Sequence, residues 1–239
     1  MRKEKNPLFL RRYYDAVKDR CSFRALASQV VRADMRVLDA GCGKRSVIGE
    51  CNLQTKFTLG IEVRYEDLRE NSAVDFRTVG NIEHLPLKGK VCDCIVCRNV
   101  VEHLEDPVQV FREFERVLGD GGLLLVRTPN IHNPLMFLSA LLPLRLRVWM
   151  KHRLLHDTQG DTFPTRYKCN SLKKLAGTLK RLDMEPEFVG RDGLLAYFNF
   201  SSLLLTLVTV YEKVTDIPFL RWLKMWIVVS FRKAGAPPQ

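Results

Sequence analysis

The sequence predicts an α/β protein whose strands form a mostly parallel sheet with helices on both faces. Three observations carry this expectation. Short apolar runs alternate with segments of helical spacing through the first half of the chain. Each run is bounded by Gly, Pro, Asn or Asp. One run leads into an acid and then a Gly-x-Gly turn. Alternation of this kind means βαβ units with parallel strands, and ligands of such sheets bind at the strands' carboxyl ends.

The elements follow in order. Leu10, Tyr13, Tyr14 and Val17 lie at helical spacing, and so do Phe23, Leu26, Ala27, Val30 and Val31, which predicts two opening helices. Strands are expected at residues 36–38, 57–63, 75–79, 92–97 and 123–128. Between the last two, Val108, Phe111, Phe114, Val117 and Leu118 share one helix face, and Gly119, Gly121 and Gly122 end that helix. Beyond Pro129 the pattern loosens. Residues 134–150 are strongly apolar with Arg145 and Arg147 near their end, and a polar stretch fills 152–170. Ser171 is the expected N-cap of a helix with Leu172, Leu175, Ala176, Leu179 and Leu182 on one stripe. Two closing strands are expected at 187–189 and 226–231, and residues 234–238 are expected to fray.

Composition bounds the function classes. The chain has 239 residues, 46% apolar and 27% charged, which excludes disordered, collagen-like and coiled-coil architectures. Its net charge of +11 is uneven: 16 basic and 8 acidic residues lie from Ile131 onward, against 22 and 19 before it. A basic half suits a phosphate-bearing partner or an anionic membrane surface. Seven cysteines, an odd count, argue against a secreted disulfide scaffold. Cys92, Cys94 and Cys97 have no second ligand cluster to complete a zinc site, so they read as strand thiols and no metal site is expected. The basic N-terminal residues are followed by no apolar run of signal-peptide length, so the expected compartment is the cytoplasm.

The strongest local signal is Val37-Leu38-Asp39-Ala40-Gly41-Cys42-Gly43. Glycines there let the backbone turn tightly and let a ligand approach, while the acid can accept hydrogen bonds from an amine-bearing ligand. Glu62 follows at the end of the next strand, where a nucleotide-binding unit places the acid that holds ribose hydroxyls. A dinucleotide fingerprint needs a third glycine, and Ser46 stands in its place.

These residues resemble the class I S-adenosylmethionine-dependent methyltransferases. Residues 37–43 look like the family's first motif. Gly80-Asn81-Ile82-Glu83-His84-Leu85-Pro86 resembles its third-strand motif, residues 94–107 its fourth strand and the helix after it, and Gly121-Gly122-Leu123-Leu124-Leu125-Val126 its fifth strand. The resemblance runs from about Arg36 to Pro129 with motifs in the family's order. It implies a Rossmann-like fold with a seven-stranded sheet, the last strands antiparallel, and an elaborated C-terminal half. It implies one methyltransferase domain over 1–239, divided into N-terminal helices (1–34), a cofactor-binding core (35–130) and a substrate-side segment (131–239).

Carried over residue by residue, the resemblance implies that Asp39, Ala40, Gly41, Cys42 and Gly43 line the methionine end of S-adenosyl-L-methionine. Glu62 would hold the ribose, Asn81 and Ile82 would meet the adenine, and Arg98 or Asn99 would face the sulfonium. Two positions depart from the family pattern: Arg45 stands where glycine is common, and Asn81 replaces an aspartate. The cofactor carries the activated methyl group, so the protein aligns a nucleophile and excludes water. An oxygen nucleophile also wants a base, and His103, His132, His152, His156, Asp157 and Asp161 are candidates; His156–Asp157 is favoured, with His103 behind it.

The expected acceptor is small, or linked to a lipid or glycan, and methylated on oxygen. The residues after the fourth strand, Arg98-Asn99-Val100, depart from the pattern of nucleic-acid amino-methyltransferases, so DNA is not expected; the charge leaves RNA open. The apolar stretch 134–144 leads into Arg145, Arg147, Trp149, Lys151 and Arg153, a composition used at membrane interfaces. Residues 193–211 carry no charge but hold Asn199, Ser201, Ser202, Thr206 and Thr209, and a span there would part the two closing strands, so peripheral contact is expected rather than a crossing. A homodimer interface is the alternative use of these apolar segments. Two other functions stay open at this point: an inactive S-adenosylmethionine-binding regulator and an NAD(P)-dependent oxidoreductase.

Overall fold

The apolar runs become the strands of one sheet. The computed structural model describes residues 22–143, 163–193 and 202–235. Along it lie α1 (Phe23–Val30), β1 (Arg36–Ala40), α2 (Val47–Glu50), β2 (Phe57–Glu62), α3 (Tyr65–Glu70), β3 (Phe76–Val79) and β4 (Cys92–Arg98). A 3-10 turn (Val101–His103), α4 (Pro107–Val117), β5 (Leu118–Pro129), α5 (Pro134–Leu141), α6 (Leu172–Lys180) and β6 (Met184–Asp192) follow. The last elements are α7 (Ser202–Thr215), a second 3-10 turn (Pro218–Leu223) and β7 (Trp226–Lys233).

The seven strands lie in the order β3-β2-β1-β4-β5-β7-β6. Strands β1 to β5 pair in parallel, and β7 runs antiparallel to both its neighbours, β5 and β6. The seven-stranded, mostly parallel sheet expected from the motifs is therefore present. Side chains alternate across it with period two. Leu38, Ile95, Leu124 and Val126 face α4 and α6, under Phe111, Phe114, Leu175 and Leu179. Val37, Val96 and Leu125 face the other way, under Phe23 and Leu26 of α1, Val47 and Ile48 of α2, and Leu205 and Val208 of α7.

The three thiols of β4 serve both layers. Cys92 and Cys97 pack on the α4 side and Cys94 on the α1 side. Cys92 and Cys94 part company because the β4–β5 register slips between them. Burial raises both thiols, Cys92 to about 11 and Cys94 to about 12, so they pack as small apolar groups.

Side-chain caps fix the helix starts. Asp106 Oδ1 accepts from the amides of Val108 and Gln109, and Pro107 opens α4. Ser171 Oγ accepts from Lys174 N at 3.3 Å, as its N-cap assignment requires. Asn133 Oδ1 does the same for Leu135 and Met136 at the start of α5.

Some boundaries differ from the sequence expectation. Leu118 does not extend the α4 stripe; it opens β5, and Gly119, Gly121 and Gly122 lie inside that strand. Their lack of side chains ends the helix, but the backbone turns straight into pairing with β4 at Cys92. Strand β6 is longer than residues 187–189 and carries Pro186 at an irregularity in its pairing with β7. The helix predicted around Leu10 and Val17 lies outside the described residues.

Candidate active site

The strand order reverses between β1 and β4, since β2 and β3 extend the sheet to one side and β4 and β5 to the other. A doubly wound sheet opens a crevice at the carboxyl ends on either side of such a point. Here that crevice is a cleft of about 360 Å³ lined by Asp39, Gly41, Cys42, Gly43, Lys44, Arg45, Glu50, Asp67, Arg98 and Asn99. Seven of these stand out in the sequence: Asp39 near the end of β1, Gly41, Cys42, Gly43 and Arg45 in the turn after it, Arg98 at the end of β4 and Asn99 just past it.

The turn after β1 is built by two glycines with left-handed backbone, Gly41 at φ +70° and Gly43 at φ +51°. Gly41 is also pressed against the chain after β4: a Cβ there would overlap Val100 Cγ2. Gly43 has nothing within 4 Å of its Cβ position. The turn is tied to β2, because the amides of Gly41 and Cys42 donate to the Ile61 carbonyl at 2.8 and 3.2 Å. Asn71, fully buried, closes it from below by donating Nδ2 to the carbonyls of Cys42 and Gly43.

Asp39 stands at the base of the cleft, 3% exposed. Its Oδ2 is buried with no hydrogen-bond partner. Burial raises its pKa to about 6, against the opposing effects of Ser46 and Arg98. An unsatisfied buried carboxylate oxygen beside an open crevice is suited to an amine or ammonium donor from a ligand. Glu62 lies behind the turn and does not line the cleft surface itself. Its Oε2 accepts from Gly43 N at 3.0 Å, and its Oε1 accepts from the amides of Val63 and Arg64 at 2.8 and 3.3 Å. One carboxylate thus joins the ends of β1 and β2.

Arg98 lines the cleft, but its guanidinium is engaged. Nη1 and Nη2 grip Glu50 at 2.8 and 2.9 Å, and Nη2 also donates to the Arg45 carbonyl at 2.9 Å. Arg98 is therefore a brace between β4 and the α1–α2 layer, since Glu50 also holds Arg24. Asn99 adopts φ +60°, a conformation Asn tolerates, with its amide on the Arg127 carbonyl. Arg45 projects at the rim, exposed.

Asn81 and Ile82 do not join this lining. Asn81 Oδ1 accepts from Glu83 N at 2.9 Å in a local turn, and the Ile82 side chain is buried in the core. Ala40 is likewise a buried core residue outside the lining. His103 lies after β4, against Phe163, with Nδ1 3.0 Å from the Pro164 carbonyl oxygen. A carbonyl can only accept, so Nδ1 donates, while Nε2 lies 4.0 Å from Glu102 Oε1. His132 is exposed beside Trp222. His152, His156, Asp157 and Asp161 lie outside the described residues. Among the described residues no group of His, Cys, Asp and Glu is arranged to hold a metal ion.

Sequence reasoning missed Asn71, Val100, Glu50 and Glu102. Glu102, within the 3-10 turn, is buried, accepts from Thr128 Oγ1 at 3.1 Å, and is raised by burial to about 7. Only its place within Val101-Glu102-His103, directly after β4, marked it.

Comparison with known proteins agrees with this geometry. The family model described as a methyltransferase domain matches residues 38–126. A protein of Mycolicibacterium smegmatis, described as a probable S-adenosylmethionine-dependent methyltransferase, is 37% identical over 105 residues, 39% of this chain and 38% of that protein. The ubiquinone biosynthesis O-methyltransferase of Pseudomonas aeruginosa is 28% identical over 134 residues, 52% of this chain and 57% of its own length. The chain thus spans less than two thirds of both curated relatives. The crystal structure of an S-adenosylmethionine-dependent methyltransferase from Mesorhizobium loti superimposes with a TM-score of 0.60 at 16% identity, covering 87% of this chain and 96% of that one.

Proposed function

We propose that the chain, whose residues 38–126 match a family model described as a methyltransferase domain, transfers the methyl group of S-adenosyl-L-methionine to an oxygen of a small or lipid-linked acceptor. One observation carries the cofactor part: the partnerless Oδ2 of Asp39 at the switch-point cleft. The residues present fit the cofactor. Asp39 would accept from its amino group, Gly41 and Gly43 keep the β1 turn low enough for its methionine end, and Glu62 would offer its remaining lone pairs to the ribose. Bound there, the cofactor supplies an activated, electrophilic methyl group.

The chain's own residues then orient and exclude. Arg98 and Glu50, locked together, form one wall of the cleft. Asn99 lines the cleft, and the Val100 side chain packs against Gly41. A hydroxyl acceptor needs a proton acceptor, and His103, held at Nδ1 by the Pro164 carbonyl with Nε2 4.0 Å from Glu102 Oε1, is one proposed base. His156–Asp157 is the second proposed base. The choice of oxygen is supported by the name of the Pseudomonas aeruginosa relative and by the apolar character of the substrate-side half.

Two measurements test this. Calorimetric titration with S-adenosylhomocysteine should show binding that Asp39→Asn and Glu62→Ala each weaken by about tenfold or more, the loss of one charge-assisted hydrogen bond. Unaltered affinity in both variants would refute the site. Incubation of the protein with methyl-labelled cofactor and a cell extract should then place label in the lipid or small-molecule pool. Binding without any labelled pool would favour an inactive binder over a methyltransferase.

A further inference from the structure

Twelve of the nineteen large apolar side chains that remain exposed among the described residues belong to α5, α7 and the chain between α7 and β7. On α7 the inward positions Leu205, Val208 and Glu212 are buried, yet the opposite face is apolar as well: Leu203, Leu207 and Val210 are all more than half exposed. On α5, Phe137, Leu138 and Leu141 are more than half exposed, and Phe219 and Trp222 project from the second 3-10 turn. These elements are fastened together. Asn133 Nδ2 donates to Tyr211 Oη and to the Leu223 carbonyl, and Tyr211 Oη donates to that same carbonyl at 2.6 Å. Asn130 holds the Trp222 and Lys224 carbonyls. The cluster begins where β5 ends, since Pro129 pairs with Trp226. It therefore sits at the carboxyl end of the parallel strands, the same end as the cofactor cleft.

An outward apolar stripe on a helix whose inner face is already satisfied marks an interaction surface. Charge identifies the occupant. The chain leaving α5 carries Arg145, Arg147, Lys151 and Arg153 around Trp149, with no acid between Pro134 and His156. Within the cluster itself the exposed charges are Lys213, Arg221 and one acid, Asp216, whose carboxylate is paired with Lys224 at 3.0 Å. Aromatic and aliphatic side chains beside a basic segment match the acyl boundary and the anionic headgroups of a bilayer. A symmetric dimer through this face would instead press two basic halves together. We propose that α5, the outer face of α7 and the Pro218–Leu223 turn form a platform that docks on an anionic lipid surface, holding the cleft's mouth against the membrane. This deepens the reading of a lipid-linked acceptor but does not depend on methyl transfer.

The test is sedimentation of the full chain with vesicles, without cofactor. Vesicles of phosphatidylglycerol and phosphatidylethanolamine should carry the protein down, vesicles of phosphatidylcholine much less, and high salt should reduce the binding. Phe219→Ser and Leu207→Ser sit on exposed positions and should retain the wild-type circular dichroism and S-adenosylhomocysteine affinity. Each should weaken vesicle binding by about tenfold or more, the loss of one inserted large apolar side chain. No sedimentation with anionic vesicles, or binding untouched by both substitutions, would overturn the proposal. So would a concentration-dependent dimer that these substitutions dissolve while vesicle binding is absent. Because the readout needs no turnover, failure of the methyltransferase reading would leave the vesicle result standing, and the reverse holds too.

Discussion

Gly41→Ala isolates what the β1 turn requires. Two costs add at this position. The left-handed backbone, φ +70°, costs an alanine about 1–2 kcal/mol. The new Cβ would also overlap Val100 Cγ2 and lie 3.3 Å from Cγ1 and 3.5 Å from Val100 Cβ, and overpacking of this kind costs roughly 1–3 kcal/mol. The sum is about 2–5 kcal/mol, read as a shift of the urea midpoint at constant slope. Gly43→Ala provides the internal control, since at φ +51° with no neighbour within 4 Å it carries only the backbone cost of about 1–2 kcal/mol. Val100→Ala separates the two: in that background Gly41→Ala should lose its steric share and fall to the Gly43→Ala level. Cofactor affinity should fall in Gly41→Ala and recover in the double variant. Equal costs for the two glycines, or no relief from Val100→Ala, would refute this account of the turn.

Further expectations concern the buried charges. Asp39 and Glu102 are raised to about 6 and about 7 by burial, above their unfolded values. Each therefore lowers stability once ionised: the cost is absent well below the unfolded pKa of about 4, grows as pH rises from there to the folded pKa, and is full above it. Asp39→Asn should remove a cost of roughly 1–3 kcal/mol at pH 8, about half of it at pH 5 and little at pH 3; a stability difference independent of pH in urea titrations would contradict this. Glu212 is fully buried against Lys224 at 2.7 Å, so Glu212→Ala should cost about 3 kcal/mol or more by calorimetry, because it removes one partner of a buried pair. Arg98→Lys loses the two-pronged grip on Glu50 and should cost about 1–2 kcal/mol, with Arg98→Ala worse in the same thermal melt.

What could be read from the sequence follows from how local each signal was. Strands β1, β4 and β5 are buried on both faces, so their apolar runs stand out between Gly, Asn and Asp. The helix α3 was not foreseen because Leu68 is its only buried side chain. Strand β6 lies at the sheet edge with only two of its nine residues buried, and only its central residues read as strand. At the site, Asp39, Gly41 and Gly43 were visible because one turn needs all three at fixed spacing. Arg98 was placed beside the cleft correctly, but its partner Glu50 lies 48 residues away in the chain, and no spacing rule connects them. Asn71 was invisible for the same reason: its amide reaches carbonyls 28 and 29 residues earlier. Glu62 was read as a ligand group alone, whereas the structure also gives it three backbone donors.

The placement of β7 shapes how the chain is made. It is the last of the seven strands to be synthesised, yet it fills the gap between β5 and β6 rather than an edge. Until it emerges from the ribosome, β5 presents the bare peptide groups of Leu123-Leu124-Leu125-Val126 on one side, with nothing to pair them. An unpaired apolar strand of this kind is sticky, so nascent chains depend on chaperone shelter or on rapid completion. A stalled or prematurely stopped message, cut just before Trp226, would yield a product whose cofactor half is assembled but whose sheet is split at its heart, and degradation rather than partial activity is the outcome to expect.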